Sequence, residues 1–170
     1  MRRSAVGLLA AGLSWLTAPA YTQMRASDQP EMQAAQFLLG TWSCKHTVGD
    51  FAGTYTTIYE SSLGDLWLKQ TYDFPATSDQ PAVHAEYFLE YDPRSPVQHW
   101  VRFGAHSNGQ YYGMVGKRAG NVWSWSYILP GASGSVVWTK RSDSEYAIDG
   151  PSYSQNGKQV TEHHTCRKAS

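Results

Sequence analysis

The sequence predicts an all-β fold, a closed antiparallel β-barrel of about ten strands, on three observations. Short runs of aromatic and β-branched residues recur from Gly40 onward, separated by turn-forming residues roughly every 8 to 12 positions. The connections are too short for crossover helices, so neighbouring strands must be antiparallel. Cys44 and Cys166 lie near the two ends of this region, which suits a sheet that closes on itself and leaves no exposed edge. A two-sheet sandwich is the alternative that shares this pattern.

The first twenty residues have the features of a secretory signal peptide. Two arginines precede an apolar run over residues 5–16, and a small-x-small site follows at Ala18 to Ala20. The apolar run is shorter than the ~20 residues that span a bilayer. We therefore expect cleavage near Ala20, export to the periplasm or the medium, and no stable insertion into a membrane.

The remaining length accommodates one domain. We expect a signal peptide at 1–20, a flexible lead and the start of a short helix at 21–36, and the barrel at 37–168. The helix is predicted over 31–39. The predicted strands cover residues 41–48, 54–61, 66–74, 83–91, 98–104, 110–116, 122–128, 135–140, 145–148 and 158–167. Gly150 and Pro151 are read as one of the turns between them.

The charge balance argues against nucleic acid as a partner. The chain has 14 Lys and Arg against 14 Asp and Glu, and loss of Arg2 and Arg3 with the signal peptide leaves a net charge of −2. A protein that binds the phosphate backbone or an anionic membrane surface through charge is normally basic. The sequence carries no signal for an oligomeric state.

The two cysteines predict a disulfide. Export places Cys44 and Cys166 in an oxidising compartment, and they are the only cysteines in the chain. Two isolated cysteines without C-x-x-C spacing are a poor start for a zinc site. The bridge would join the first and last strands of the barrel.

The segment Gly40-Thr41-Trp42 resembles the G-x-W opening of calycins, the superfamily of lipocalins, fatty-acid-binding proteins and nitrobindins. With FLEYDP at 88–93, HWVRFG at 99–104 and a closing last strand, the region 37–168 is similar to a family of small secreted bacterial proteins of unknown function. Ten strands favour the nitrobindin-like form of the barrel. That resemblance implies haem binding through a histidine near the C-terminus, where His163 and His164 lie.

Aromatic residues in the strands are the candidates for a ligand-binding wall. Trp123, Trp125 and Tyr127 share one face by the strand period of two, and the neighbouring strand brings Tyr112 and Met114 to the same space. We expect these five residues and Trp42 to line a cavity for an apolar or planar molecule. Core packing is the alternative, because aromatic side chains bury large areas in any barrel. Arg102 shares a face with Trp100, which predicts a stacked pair.

The disulfide also predicts the register of the first and last strands. If Cys44 lies opposite Cys166, then His46 faces His164 and Val48 faces Glu162, on the same face as Trp42. Directly opposed side chains are close enough for two imidazoles to share a metal or flank a planar ligand such as haem. An ordinary cross-strand pair is the alternative.

These observations predict a carrier or sensor of a small apolar or planar molecule. The sequence has no nucleophile elbow, H-E-x-x-H, P-loop, EF-hand or dinucleotide fingerprint, so an enzyme is disfavoured. Three alternatives stay open: a haem- or metal-binding barrel that uses His46 and His164, an enzyme of unknown substrate, and a structural barrel without a ligand.

Overall fold

The computed structural model describes residues 28–77, 81–94, 99–129, 133–155 and 158–169. The predicted signal peptide at 1–20 lies outside the described residues, and the predicted lead overlaps them only from Asp28 onward. Within the described part of the chain, no helix is both long enough and apolar enough to cross a bilayer.

Ten strands and a short helical segment make up the described structure. They run in the order α1 (Pro30–Ala35), a 3₁₀ turn (Gln36–Leu38), β1 (Gly40–Val48), β2 (Phe51–Ser62), β3 (Trp67–Phe74), β4 (Val83–Asp92), β5 (His99–His106), β6 (Tyr111–Ala119), β7 (Val122–Tyr127), β8 (Ser135–Ser142), β9 (Glu145–Gln155) and β10 (Lys158–Lys168). All ten strands and the helix were predicted, most of them to within two residues at each end.

The strands form a closed antiparallel barrel. Each strand pairs with its neighbours along the chain, and β1 pairs with β10 to close the sheet. This confirms the predicted fold class over the sandwich alternative. Alternate residues point inward, as the burial of Trp42, Cys44 and His46 along β1 illustrates.

The junction of β1 and β10 has the predicted register. Cys44 lies opposite Cys166, and the two sulfurs form a disulfide with an S–S distance of 2.00 Å. His46 lies opposite His164, and Val48 lies opposite Glu162. The covalent bond and the hydrogen-bonded ladder therefore close the barrel at the same place.

The helical segment covers one end of the barrel, which we call the helix end. Met32, Ala35 and Leu38 are buried there. The indole Nε1 of Trp42 donates a 2.6 Å hydrogen bond to the carbonyl oxygen of Leu38. An ion pair also holds the helix to the barrel: Nε and Nη2 of Arg118 donate to the two carboxylate oxygens of Glu31, at 2.6 and 3.2 Å. The opposite end of the barrel, which we call the mouth, has no such cover among the described residues.

One prediction about the strands is wrong. Gly150 and Pro151 were read as a turn, but β9 continues through them to Gln155. Proline is tolerated here because the described pairing of β8 with β9 ends at Asp149, so no ladder hydrogen bond to β8 is lost. On the other side Pro151 lies opposite Thr161, next to a register shift in β10.

Candidate ligand-binding site

The half of the interior next to the helix is filled by the protein's own aromatic side chains. Trp100, Trp123, Trp125, Trp138 and Tyr146 surround a cavity of about 10 Å³. A void of that size has room for about one water molecule. The helix half of the interior therefore has no space for an organic ligand without rearrangement.

The six residues predicted to bind ligand all lie in the interior, but they do not form one wall. Trp42, Trp123 and Trp125 are packed into the helix half, and of these Trp123 and Trp125 line the small cavity. Met114 is buried near mid-barrel, on the strand next to Arg102. Tyr112 and Tyr127 are only partly buried and lie at the mouth, with ring centroids 6.0 Å apart.

The half of the interior next to the mouth has a different composition. Histidine, tyrosine and phenylalanine replace the indoles, and the side chains that define this mouth half are His46, Tyr55, Phe74, His106, Tyr112, Tyr127, Glu162 and His164. β1 and β6 are five strands apart in either direction around the barrel, so His46 and Tyr112 face each other across it. Titratable groups and aromatic rings thus come together in the mouth half.

His46 and His164 are in contact, as their register predicts. Their rings stack with centroids 5.5 Å apart and an interplanar angle of 29°. A planar molecule inserted between them would need about 7 Å, twice the separation of carbons in contact. The pair could therefore flank a ligand only if the rings separated, whereas one ring face or edge can meet a ligand as they stand.

His164 is held in place from both sides. Its Nδ1 shares a 2.7 Å hydrogen bond with the hydroxyl of Tyr55, and its Nε2 shares one with the carboxyl group of Glu162. Burial raises the pKa of Tyr55 well above its usual value, so this hydroxyl stays protonated and can donate to His164. The imidazole is consequently fixed in orientation, with both nitrogens engaged.

His46 is different because its Nδ1 is buried and has no hydrogen-bond partner among the described residues. The residue is 9% exposed and its ring lies among Phe51, Tyr55 and Phe74. Burial, and then the neighbouring His164, lower the pKa of His46. A desolvated imidazole nitrogen without a partner costs free energy, and unlike an indole N–H it can accept a hydrogen bond or bind a metal ion.

The lowered pKa predicts a loss of stability in mild acid. A histidine held neutral in the folded state contributes stability above its unfolded pKa of about 6.5, and this is lost as the pH falls below that value. We expect the wild type to become less stable between about pH 7.5 and pH 5.5, and His46→Gln to lose less. Urea denaturation midpoints at the two pH values measure the loss of stability of the wild type and of His46→Gln.

The exposed His84 is the control for this prediction. Asp73 raises the pKa of His84 through a 2.8 Å hydrogen bond, so its contribution has the opposite sign and grows as the pH falls. His84→Gln should therefore not reduce the loss of stability in acid. A His46→Gln variant that loses as much stability as the wild type would show that His46 does not titrate as proposed.

The mouth half fits a directly bound metal ion poorly. Among the described residues, no group of three or more His, Cys, Asp or Glu side chains is arranged to hold one. Two imidazoles alone seldom make a metal site. Both ring nitrogens of His164 already form hydrogen bonds. A planar organic molecule places fewer demands on the side chains.

Arg102 lies buried between the two halves and was not predicted as a site residue. It is 5% exposed, and its guanidinium carbon lies 3.6 Å from the ring centroid of Tyr87. The predicted stack on Trp100 is therefore wrong: Tyr87 on the neighbouring strand takes that place. Gly104, opposite Tyr87, has no side chain, and a Cβ there would lie 2.6 Å from the tyrosine ring. The ring can thus lie flat beside Arg102.

Sequence reasoning missed the tyrosines that converge on this site. Tyr55, Tyr72 and Tyr87 lie on the three neighbouring strands β2, β3 and β4, and their convergence depends on the register between these strands. The alternation of Trp100, Arg102 and Gly104 was the available signal, because it places an arginine on an inward face.

A second apolar surface lies on the outside of the barrel. Phe88, Phe103, Tyr111 and Leu129 line a groove that is open to solvent, which we call the outer groove. Phe103 and Tyr111 are about half exposed, and Phe103 packs against Phe88 and Trp67. Glu86, Gly104 and Tyr112 also line it, so the outer groove reaches Tyr112 of the mouth half.

Comparison with known proteins supports the fold. No protein-family profile matches the sequence, and no curated protein matches it. The crystal structure of Rv2717c from M. tuberculosis is similar, with a TM-score of 0.60 at 14% identity, over 84% of this chain and 99% of that one. A redesigned β-barrel also matches, with a TM-score of 0.49 at 13% identity, over 81% of this chain and 96% of that one. At 14% identity, the similarity to Rv2717c extends to the barrel architecture alone.

Proposed function

We propose that this protein is an exported carrier or sensor that binds a small planar or apolar molecule in the mouth half of its barrel. The observation that carries the proposal is the buried, unpartnered Nδ1 of His46 beside the fixed imidazole of His164. The helix half is filled mainly by indole and phenol rings, whereas the mouth half adds the imidazoles of His46 and His164 and the carboxyl group of Glu162. Aromatic rings with a few converging polar groups are typical of small-molecule sites.

The position of the site follows from the contrast between the two halves. The helix half is closed by α1 and has a cavity for one water molecule. At the mouth, Tyr112 and Tyr127 are partly exposed and can contact a molecule that enters from solvent. The calycin-like resemblance, which implies ligand binding inside the barrel, is consistent with this position.

Haem is the specific candidate that the nitrobindin-like resemblance suggests. His46 offers a buried imidazole nitrogen without a partner, and the rings of Phe74, Tyr112 and Tyr127 offer apolar faces. For His164 to ligate iron, it would have to give up its hydrogen bond to Tyr55 or to Glu162. These residues thus offer one imidazole that could ligate haem iron, whereas a bare metal ion would need more ligands than they provide.

Titration with haem, followed by divalent zinc and nickel, tests the histidine site. The variants are His46→Ala, His164→Ala and the matched control His163→Ala, which removes an exposed imidazole bonded to Asp149 on the outside of β10. We expect the wild type and His163→Ala to bind haem with the same spectrum. His46→Ala or His164→Ala should weaken binding by about tenfold or more, the factor for about 1.4 kcal/mol.

If haem does not bind, or if all four proteins bind it alike, the histidine pair is structural. Mass spectrometry of small molecules that stay bound through purification tests the wider proposal without assuming a ligand. We expect one molecule per protein, released on denaturation. A protein that carries nothing and also binds no haem would contradict ligand binding in the mouth half.

A further inference from the structure

The interior of the barrel contains a buried guanidinium, that of Arg102, which forms no ion pair with a carboxylate of the described residues. None of the ion pairs among the described residues includes Arg102. The interior-facing carboxyl group of Glu162 lies at the mouth and bonds His164. A buried guanidinium is normally paired with a carboxylate or phosphate, because an isolated charge in a medium of low polarity is costly.

The neutral partners of Arg102 occupy one edge of its guanidinium. Nε and Nη2 donate to Oε1 of Gln70 at 3.3 and 3.1 Å, and Nη2 also donates to the hydroxyl of Tyr72. One flat face lies against Tyr87. Gln70 is itself held by Tyr59, to which its Nε2 donates. This edge is therefore fixed by neutral groups that do not compensate its charge.

The Nη1 group of Arg102 has a much weaker hydrogen-bond partner. Its one described partner is the thioether sulfur of Met114, at 3.5 Å. A thioether is a weak acceptor, and the two N–H groups of Nη1 are strong donors. Met114 lies opposite Tyr127 in the sheet, and Tyr127 contacts Tyr112 at the mouth. The poorly satisfied edge of the cation is thus on the side of the barrel where the two mouth tyrosines lie.

We infer that the ligand of this barrel is an organic anion whose carboxylate binds Nη1 of Arg102 while its planar or apolar part lies against Tyr112 and Tyr127. This inference rests on the proposed function and adds the charge of the ligand and its counter-ion. The carboxylate displaces the sulfur of Met114, a flexible side chain that can change rotamer at little cost. It supplies the charge that the buried guanidinium lacks, in surroundings where a charge-assisted hydrogen bond is strong.

Two matched pairs of probes test the inference on the wild type without any mutation. Naphthoate and naphthamide, like benzoate and benzamide, have nearly the same shape and differ in charge. Isothermal titration calorimetry measures both members of each pair. We expect each carboxylate to bind about ten- to a hundredfold more tightly than its amide, the range for hydrogen bonds between charged groups.

Three variants locate the counter-ion. Arg102→Met removes the charge and keeps a similar length, and it should reduce the ratio of carboxylate to amide affinity to about one. Arg102→Lys keeps the charge and should retain part of the preference. Lys140→Met is the matched control, because Lys140 is a cation at the helix end that lines the small cavity. It should leave the ratio unchanged.

The outcomes separate the inference from the proposed function. If amides and carboxylates bind the wild type equally, the barrel binds small molecules as proposed, and the inferred anion site is wrong. If the preference survives in Arg102→Met or is lost in Lys140→Met, the counter-ion is wrongly assigned. If none of the four probes binds, the inferred anion site is wrong, and the proposed function is judged separately by haem titration and by the molecules that stay bound through purification.

Discussion

Removal of the disulfide is expected to lower the free energy of unfolding by about 3 to 5 kcal/mol. Cys44 and Cys166 are 122 residues apart, and a cross-link over that distance restricts the unfolded chain by about 5 kcal/mol in the chain-entropy model. Because β1 and β10 are already paired in the folded barrel, the disulfide adds little stability to the folded state. It acts mainly by restricting the unfolded chain. A domain of this size is stable by only about 5 to 15 kcal/mol, so the loss is large.

Guanidinium denaturation of the wild type and of the Cys44→Ala, Cys166→Ala double variant measures this effect. Added reductant should destabilise the wild type and leave the double variant unchanged, which separates the disulfide from other effects of the reagent. The same midpoint for wild type and double variant would show that hydrogen bonds between β1 and β10 alone close the barrel.

Replacement of Trp100 by alanine should cost about 3 to 5 kcal/mol, the usual range for a large aromatic side chain in a packed core. Trp100 is fully buried, and its ring lies 6.1 Å from that of Trp123 and 6.4 Å from that of Trp125. Its indole N–H has no hydrogen-bond partner among the described residues, so the loss is one of packing. Urea denaturation midpoints give the change in stability.

Trp67→Ala is the control for Trp100→Ala, because it removes the same side chain from the outer face of the barrel. Trp67 is partly exposed and packs against Phe103. We expect a loss of no more than about 1 kcal/mol there. Equal losses at the two positions would contradict the assignment of the helix half as the core of the fold.

The barrel could be predicted from the sequence because each strand buries one face. Alternation of residues such as Trp42, Cys44 and His46 reports that burial directly. The two cysteines then set the register of β1 against β10, and with it the pairing of His46 with His164. The extent of β9 was not predictable in the same way, since Pro151 is acceptable only because β8 has already ended its pairing.

The candidate site could be predicted only in part. The histidine pair follows from register, a relation between two strands. The surroundings of Arg102 depend on Gln70, Tyr72 and Tyr87 from two other strands, and their convergence depends on the registers of β3, β4 and β5. The alternation of inward and outward residues along a strand also does not show which inward aromatic residues lie at the helix end of the barrel and which at the mouth. Trp123 and Tyr127 share a face in the sequence, yet one packs beneath the helix and the other lies at the mouth.

A crystal structure of the protein grown with naphthoate tests most directly whether the mouth half is the binding site. We predict ligand density inside the barrel, with the naphthalene rings against Tyr112 and Tyr127 and the carboxylate at Nη1 of Arg102. The sulfur of Met114 should have moved away from the guanidinium. Naphthoate bound only in the outer groove, around an interior still filled by its own side chains, would contradict ligand binding in the mouth half.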